Sequence, residues 1–267
     1  MRPAKHPSLR GHYDEALKYW AAAFPADLAE FLLGKRPAGV RQEDSVLAYL
    51  QETAPRGHVF RQRLSDKILD VRLAHARSVL LHVEFVLSGS ANMPERVLGY
   101  LLSMVRLLRR EEHAGKAVAS VAVHLEQRRF RGDPGALELR GDLGTRLACS
   151  YGVRRLWEED PRPLLEGERL ELLPLVPLLR GDALELLVQS KEMLDRAPGR
   201  RLSRENKADL LAVMIVLAAL RIEGEEAKSV LDAFWRDVVN MEESEFLNQV
   251  LERGFERGRK QGLEQGL

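Results

Sequence analysis

Apolar residues first follow a helical spacing, then a strand-like spacing, and then a helical spacing again along this chain. Those between residues 14 and 33 fall mostly on one helical face, and Pro25 interrupts them, so two short helices or one kinked helix are predicted. Residues 35–57 carry proline and glycine near both ends, which is typical of a connector. Runs rich in Val, Ile, Leu and Phe then predict an antiparallel meander at 58–64, 66–73 and 78–87.

The second half of the pattern begins with a helix predicted from about residue 94 to 110. Asn92 is placed to cap this helix, and Glu95 lies near the positive end of its dipole. The unbroken Ala and Val run at 116–125 is typical of a central strand. One further strand is predicted at 150–157, followed by helices at about 161–171, 181–196, 203–222 and 224–239, with Ser203 near the start of the third.

The last segment is highly charged and carries a glycine at every fourth position, namely Gly254, Gly258, Gly262 and Gly266. Each glycine lowers helix stability by about 1 kcal/mol relative to alanine, so an isolated helix here would be marginal. We expect either a frayed tail or a tail that is ordered by self-association or by a partner.

Composition narrows the class of protein. The 41 Lys and Arg residues nearly balance the 40 Asp and Glu residues, so a nucleic-acid site would require a local basic patch. The single cysteine, Cys149, excludes an internal disulfide framework and a thiolate metal site, and it fits a reducing cytoplasm. The longest apolar run, 210–220, has 11 residues, whereas a membrane-spanning helix needs about 20. The N-terminus lacks the apolar core of a signal peptide, so we expect a cytoplasmic protein without a membrane segment.

Two carboxylates stand out against the strand-like runs. Glu84 lies in the middle of one apolar run, and Asp66 opens the neighbouring one. Because alternate strand residues share a face, His82 lies with Glu84, and Asp70 lies with Asp66. If these faces coincide, up to two aspartates and one glutamate converge beside His82. Hard divalent ions such as Mg²⁺ take oxygen ligands of this kind, so the pattern indicates a metal site.

A structural interpretation of the same residues stays open. Buried carboxylates in strands are also explained by ion pairs, and Glu84 has two candidate partners in Arg72 and Arg96. In that case Asp66 caps a turn, and Asp70 is the weakest of the metal candidates.

Four segments together resemble the recombination-promoting nuclease or transposase-like family of the PD-(D/E)XK nuclease superfamily. They are Tyr-Asp-Glu-Ala-Leu-Lys at 13–18, Ser-Asp-Lys-Ile-Leu-Asp-Val-Arg at 65–72, Leu-His-Val-Glu-Phe at 81–85 and Met-Pro-Glu-Arg-Val-Leu-Gly-Tyr at 93–100. The glycine repeat of the tail is similar as well, and the resemblance covers about residues 13–165 plus the tail.

The resemblance implies an α/β fold with a restriction-endonuclease-like core, in which a mixed central sheet is flanked by helices. It also implies DNA cleavage that depends on Mg²⁺ or Mn²⁺. Together with the helical spacing of the later residues, it predicts a nuclease-like domain at 1–165, an all-helical region at 166–240 and a charged glycine-repeat tail at 241–267. The expected partners are DNA and a second copy of the chain, bound through the C-terminal helices.

The resemblance also assigns roles to residues. Asp66 and Glu84 match the two metal-binding acids, and Asp14, with Lys18 after it, matches the acidic residue of the first helix. Further candidates for DNA contact or for support of the site are Lys67, His82, Arg96 and Tyr100, of which the last two lie one turn apart on one helical face.

Val86 departs from the family pattern. Two residues after the second acid that pattern has Lys or Gln, which orients the attacking water or stabilises the phosphate, and valine does neither. Lys67 is near in sequence, but strand alternation places it on the face opposite to Asp66. The sequence therefore predicts a Mg²⁺-dependent DNA endonuclease with weakened catalysis, or an inactive nuclease-like protein that serves as a DNA-binding or assembly module.

Overall fold

The structure, a computed structural model, describes residues 12–43, 67–74, 77–87, 92–128, 130–241 and 244–248. Contacts divide them into two compact units: the sheet unit, within 21–158, and the helical unit, which joins 12–20 to the residues after 158. Both units are α-helical in part, and the first also holds the central sheet, so the protein is α/β. The predicted ranges 1–165, 166–240 and 241–267 stay a prediction.

The first described elements along the chain are two helices followed by antiparallel strands. Pro25 separates two helices, as the spacing of apolar residues predicted, because proline is accepted at the start of a helix and not in its interior. The strands pair with opposite directions, β1 with β2 and β2 with β3. These elements are α1 (Tyr13–Ala23), α2 (Pro25–Leu33), β1 (Gly39–Gln42), β2 (Lys67–Arg72) and β3 (Val79–Val86).

Strand β1 corrects the interpretation of residues 35–57 as a connector. Its four residues pair with Leu69–Arg72 of β2, so the strand forms because a hydrogen-bonding partner is available and not because of its composition. The strand predicted at 58–64 lies outside the described residues.

The rest of the sheet unit adds two parallel strand pairs, β3 with β4 and β4 with β7. The predicted helix and central strand are confirmed, and β3 and β4 run parallel with Val79 beside Ala117 and Val86 beside His124. The five-stranded sheet has the order β1-β2-β3-β4-β7, and β5 and β6 form a separate hairpin. These elements are α3 (Met93–Leu107), β4 (Ala117–His124), β5 (Ala136–Arg140), β6 (Arg146–Ser150) and β7 (Gly152–Arg155).

The residues after 158 are helical, as predicted, with one difference. The helix predicted at 161–171 is a four-residue helix followed by a 3-10 helix, Leu170–Leu178, in which Pro174 and Pro177 lack the N–H donors of an α-helix. Ser203 caps a helix as predicted, since its Oγ accepts a hydrogen bond from the N–H of Asn206 at 3.1 Å. The α-helices are α4 (Arg162–Leu165), α5 (Ala183–Arg196), α6 (Arg204–Ala218) and α7 (Glu225–Met241).

Two further predictions concern the glycine repeat of the tail and the absence of a membrane-spanning helix. The glycine repeat lies outside the described residues. Within the described ranges, no helix is both long and apolar enough to cross a membrane.

Helix α3 covers one face of β3 and positions the candidate site. Towards the start of β3, Leu80 packs in a buried cluster with Met104 and Leu107. Towards its end, Val86 packs in a second cluster with Met93 and Val97 of the same helix. Because strand residues alternate, His82 and Glu84 lie on this same covered face, between the two apolar clusters.

Candidate functional site

Glu84 is a buried carboxylate in an ion pair. Its side chain is 1% exposed, and its Oε1 contacts the guanidinium Nη2 of Arg96 on α3. The sequence left open an ion pair with Arg72 or with Arg96, and Arg96 is the arginine that binds here. This contact neutralises much of the charge of Glu84 inside the sheet unit.

His82 is held by two neighbours on different elements. Its Nδ1 lies 2.7 Å from the Oγ of Ser120 on β4, and its ring stacks on the ring of Tyr100 with centroids 4.0 Å apart. Burial, and then the positive charge of Arg96, lowers the pKa of His82 to about 3. The imidazole is therefore neutral at physiological pH.

Two atoms of this cluster lack hydrogen-bond partners. The Nε2 of His82 and the Oε2 of Glu84 are both buried without a hydrogen bond, and they lie 3.8 Å from each other. That separation exceeds the range of an N–H···O hydrogen bond. Unsatisfied polar atoms inside a protein each cost about 1–3 kcal/mol, so this arrangement requires an explanation.

The spacing of the four residues explains why they meet. His82 and Glu84 are two strand residues apart, which corresponds to about 6.7 Å. Arg96 and Tyr100 are four helical residues apart, which corresponds to about 6 Å along the helix axis. The two distances nearly match, so Tyr100 covers His82 while Arg96 reaches Glu84. The expectation that Arg96 and Tyr100 share one helical face is confirmed.

Val86 is part of the packing between β3 and α3. Its side chain is 4% exposed and lies in a cluster with Met93, Val97 and Ala122. The position at which the family pattern has a polar or cationic residue is thus filled by an apolar contact with the helix.

The predicted convergence of Asp70 with Glu84 is wrong. Asp70 is paired across the sheet with Leu80, four residues from Glu84, which is about 13 Å along a strand. Asp70 instead forms ion pairs with Lys116, at 2.8 Å, and with Arg41, at 3.7 Å.

The other predicted site residues are placed as follows. Asp66 lies outside the described residues. Lys67 is buried, donates to the Oε1 of Gln42 at 3.4 Å and alternates with Ile68, which packs beneath α3. Asp14 and Lys18 form an ion pair with each other at 3.2 Å in α1. Their roles beside Glu84 stay predictions, and the described residues contain no group of three or more His, Cys, Asp or Glu side chains placed for a metal ion.

A second buried polar cluster was missed by the sequence reasoning. The carboxylate of Asp133 lies 2.8 Å from the Nε2 of His124, and it accepts from the hydroxyl of Tyr151 at 2.6 Å and from the N–H of Gly135 at 3.0 Å. Burial alone would raise the pKa of Asp133, but these hydrogen bonds outweigh it and lower the pKa. Both carboxylate oxygens are satisfied, so this cluster fixes the segment around Asp133 to the end of β4.

No protein-family model, curated protein or solved structure matches this chain. The chemistry of the cluster around Glu84 therefore has to be inferred from its own residues.

Proposed function

We propose that this chain is a metal-dependent DNA endonuclease of the transposase-like, recombination-promoting type, with weakened catalysis. The observation that carries the proposal is the Oε2 of Glu84, a buried carboxylate oxygen without a hydrogen bond in the strand where the resemblance places a metal-binding acid. A structural ion pair alone would leave no reason for this oxygen to stay unsatisfied.

The order of elements supports a restriction-endonuclease-like core. Helices precede three antiparallel strands, and helix α3 then leads to a strand parallel to β3. This is the mixed sheet flanked by helices that the resemblance implies.

The second acid of the proposal, Asp66, lies outside the described residues, so its role comes from the resemblance. In the sequence it directly precedes Lys67, which pairs with Val83, the neighbour of Glu84. The proposal takes Asp66 and Glu84 as ligands of one ion.

The residues at the site account for slow hydrolysis of phosphodiesters. A bound divalent ion would supply an activated water and neutralise charge on the leaving oxygen of a phosphodiester. Arg96 fixes the carboxylate of Glu84. Val86 can neither orient the water nor donate to the phosphate, so turnover is low.

The test is the nicking of supercoiled plasmid DNA, with Mg²⁺ or Mn²⁺, by the wild type and by Glu84→Gln. Glutamine keeps the size and hydrogen-bonding ability of the side chain but removes its charge, so the fold should survive while nicking is lost. Glu192→Gln, on the exposed surface of α5, is the matched control and should nick like the wild type. Equal nicking by all three proteins would remove Glu84 from the mechanism.

A second function is favoured by Val86 and its apolar surroundings. An inactive nuclease-like protein that binds DNA or assembles with partners needs no polar group at this position. Val86→Gln separates the two functions, and Val86→Leu controls for altered packing. Increased nicking by Val86→Gln alone supports the endonuclease, whereas DNA binding without nicking in every variant supports the binding module.

A further inference from the structure

The two unsatisfied atoms at the site lie close to each other. Nε2 of His82 and Oε2 of Glu84 are 3.8 Å apart, and both side chains are at most 1% exposed. The remaining polar atom of each side chain is engaged elsewhere, Nδ1 with Ser120 and Oε1 with Arg96. Each residue therefore has one atom left for a ligand, and its orientation is already fixed.

The separation suits a shared ion better than a direct hydrogen bond. A metal ion about 2.1 Å from each of two ligands bridges atoms up to about 4.2 Å apart. A direct N–H···O bond needs about 3.2 Å or less, and the contacts of His82 with Ser120 and Tyr100 resist that movement.

The neighbours of the two atoms match the outer shell of a metal site. Ligating histidines usually donate their other ring N–H to an oxygen, which leaves the lone pair of the ligating nitrogen facing the ion, and Ser120 provides such an oxygen. Ligating carboxylates are usually hydrogen-bonded through their second oxygen, and Arg96 occupies that oxygen of Glu84.

We propose that His82 and Glu84 form a mixed nitrogen and oxygen centre that binds a first-row transition-metal ion in preference to Mg²⁺. The inference rests on the proposed function in treating Glu84 as a metal ligand, and it assigns the class of the ion. Magnesium takes oxygen ligands, whereas imidazole nitrogen favours ions such as Co²⁺ and Zn²⁺.

The charges around His82 and Glu84 predict that a bound ion requires an additional anion. Arg96 already offsets the charge of Glu84, so the positive charge of a bound ion needs another anion. A DNA phosphate would provide one, so a short DNA duplex should strengthen binding of the ion.

The experiment titrates the intact chain with Co²⁺, Zn²⁺ or Mg²⁺ alone, by calorimetry and, for Co²⁺, by visible absorption. The wild type should bind Co²⁺ and Zn²⁺ at least about tenfold more tightly than Mg²⁺. His82→Asn keeps a polar group near Ser120 but removes Nε2, so it should lose that preference while Mg²⁺ binding is little changed. His12→Asn is the control, because the Nδ1 of His12 lies 3.4 Å from Oε2 of Glu15, so this variant reports incidental binding by another histidine–glutamate pair.

The outcomes separate this inference from the proposed function. Metal binding that depends on His82, without any nicking of DNA, leaves the inference standing and overturns the endonuclease. Nicking with Mg²⁺, together with no preference for Co²⁺ or Zn²⁺, overturns the inference alone. If His82→Asn does not fold, the Co²⁺ spectrum of the wild type decides, since a spectrum without nitrogen ligation also overturns it.

Discussion

The sheet unit and the helical unit each contain a buried carboxylate, and their surroundings differ. Asp209 on α6 is 3% exposed, and its Oδ1 accepts from the hydroxyl of Ser244 at 2.7 Å and from the N–H of Phe246 at 3.0 Å. Its Oδ2 accepts from the hydroxyl of Tyr19. Glu84 has Arg96 at one oxygen and no hydrogen bond at the other.

This difference distinguishes a structural carboxylate from a candidate ligand-binding one. The chain itself supplies hydrogen-bond donors to both carboxylate oxygens of Asp209. The carboxylate therefore holds the segment 244–248 against α6. Glu84 is equally buried but only half satisfied, so its surroundings are complete only when something else binds. Four substitutions, taken from the largest expected effect to the smallest, test the comparison.

Asp209→Ala should cause the largest loss of stability. The substitution leaves two hydroxyls and one backbone N–H without their acceptor, and each buried group of this kind costs about 1–3 kcal/mol. After partial relaxation we expect a loss of about 4 kcal/mol in the free energy of unfolding, measured with urea. Divalent ions should not restore it. Asp195→Ala is the control, because that side chain is 51% exposed, and a loss equal to that of Asp209→Ala would contradict the structural role.

Arg96→Met should destabilise the protein by a smaller amount. Removing one partner of a buried ion pair costs about 3–5 kcal/mol, and the 23% exposure of Arg96 favours the lower end, about 3 kcal/mol. Zn²⁺ should recover part of this loss, because a bound ion becomes the positive partner of Glu84, and a ligand at about 100 times its Kd contributes about 2.7 kcal/mol. Recovery is read as a rise in Tm.

Two controls for Arg96→Met compare it with a double variant and with Asp209→Ala. In the double variant Arg96→Met, Glu84→Gln, the loss of stability should be less than the sum of the single losses, since the two residues interact. If Zn²⁺ stabilises Asp209→Ala as strongly as it stabilises Arg96→Met, then the unsatisfied oxygen of Glu84 is not what binds the ion.

The periodicity of the sequence predicts the elements that carry the site. The apolar runs of β3 and β4 and the residues that favour the start of α3 are local signals, and the structure confirms all three elements. Glu84 was found because a carboxylate in an apolar run is costly to bury. Arg96 was found as one of two arginines that could pair with Glu84, and the resemblance assigned it to the site as well. The two residues meet because two residues along β3 span nearly the same distance as four residues along α3.

Contacts between distant residues could not be predicted in this way. Tyr19 and Asp209 are 190 positions apart, and Ser244 is 35 positions from Asp209, so no local pattern links them. Asp133 follows a glycine in a charged stretch and reads as a loop residue, although its partners His124 and Tyr151 bury it. A signal did exist for Asp209, because it directly precedes the longest apolar run of the chain.

Asp133→Asn tests whether a third buried carboxylate behaves like Asp209. The pKa of Asp133 is lowered in the folded protein, so its stabilising effect is present above the unfolded pKa of about 3.9 and is lost as pH falls through the folded value. At neutral pH the variant should lose about 2 kcal/mol, the usual contribution of hydrogen bonds to a charged group.

The pH dependence of Asp133→Asn sharpens the interpretation. Below about pH 4 the stability difference between wild type and variant should shrink, because the wild-type carboxylate then becomes protonated as well. Thermal unfolding across the acid range measures this difference. A difference that stays constant into acid would mean that the charge of Asp133 contributes nothing.

Ser120→Ala should have the smallest effect on stability and a larger one on binding. The hydroxyl of Ser120 contacts the Nδ1 of His82, and the loss of one such hydrogen bond should cost about 1 kcal/mol. Outer-shell partners of metal ligands change metal affinity by about 10–100-fold, so Zn²⁺ binding should fall at least tenfold. Ser190→Ala is the matched control in the helical unit, because that buried hydroxyl donates to the carbonyl of Leu186 at 2.8 Å. If both alanine variants lose the same stability and neither changes Zn²⁺ affinity, then Ser120 only fills space, and the unsatisfied nitrogen of His82 is not held ready for an ion.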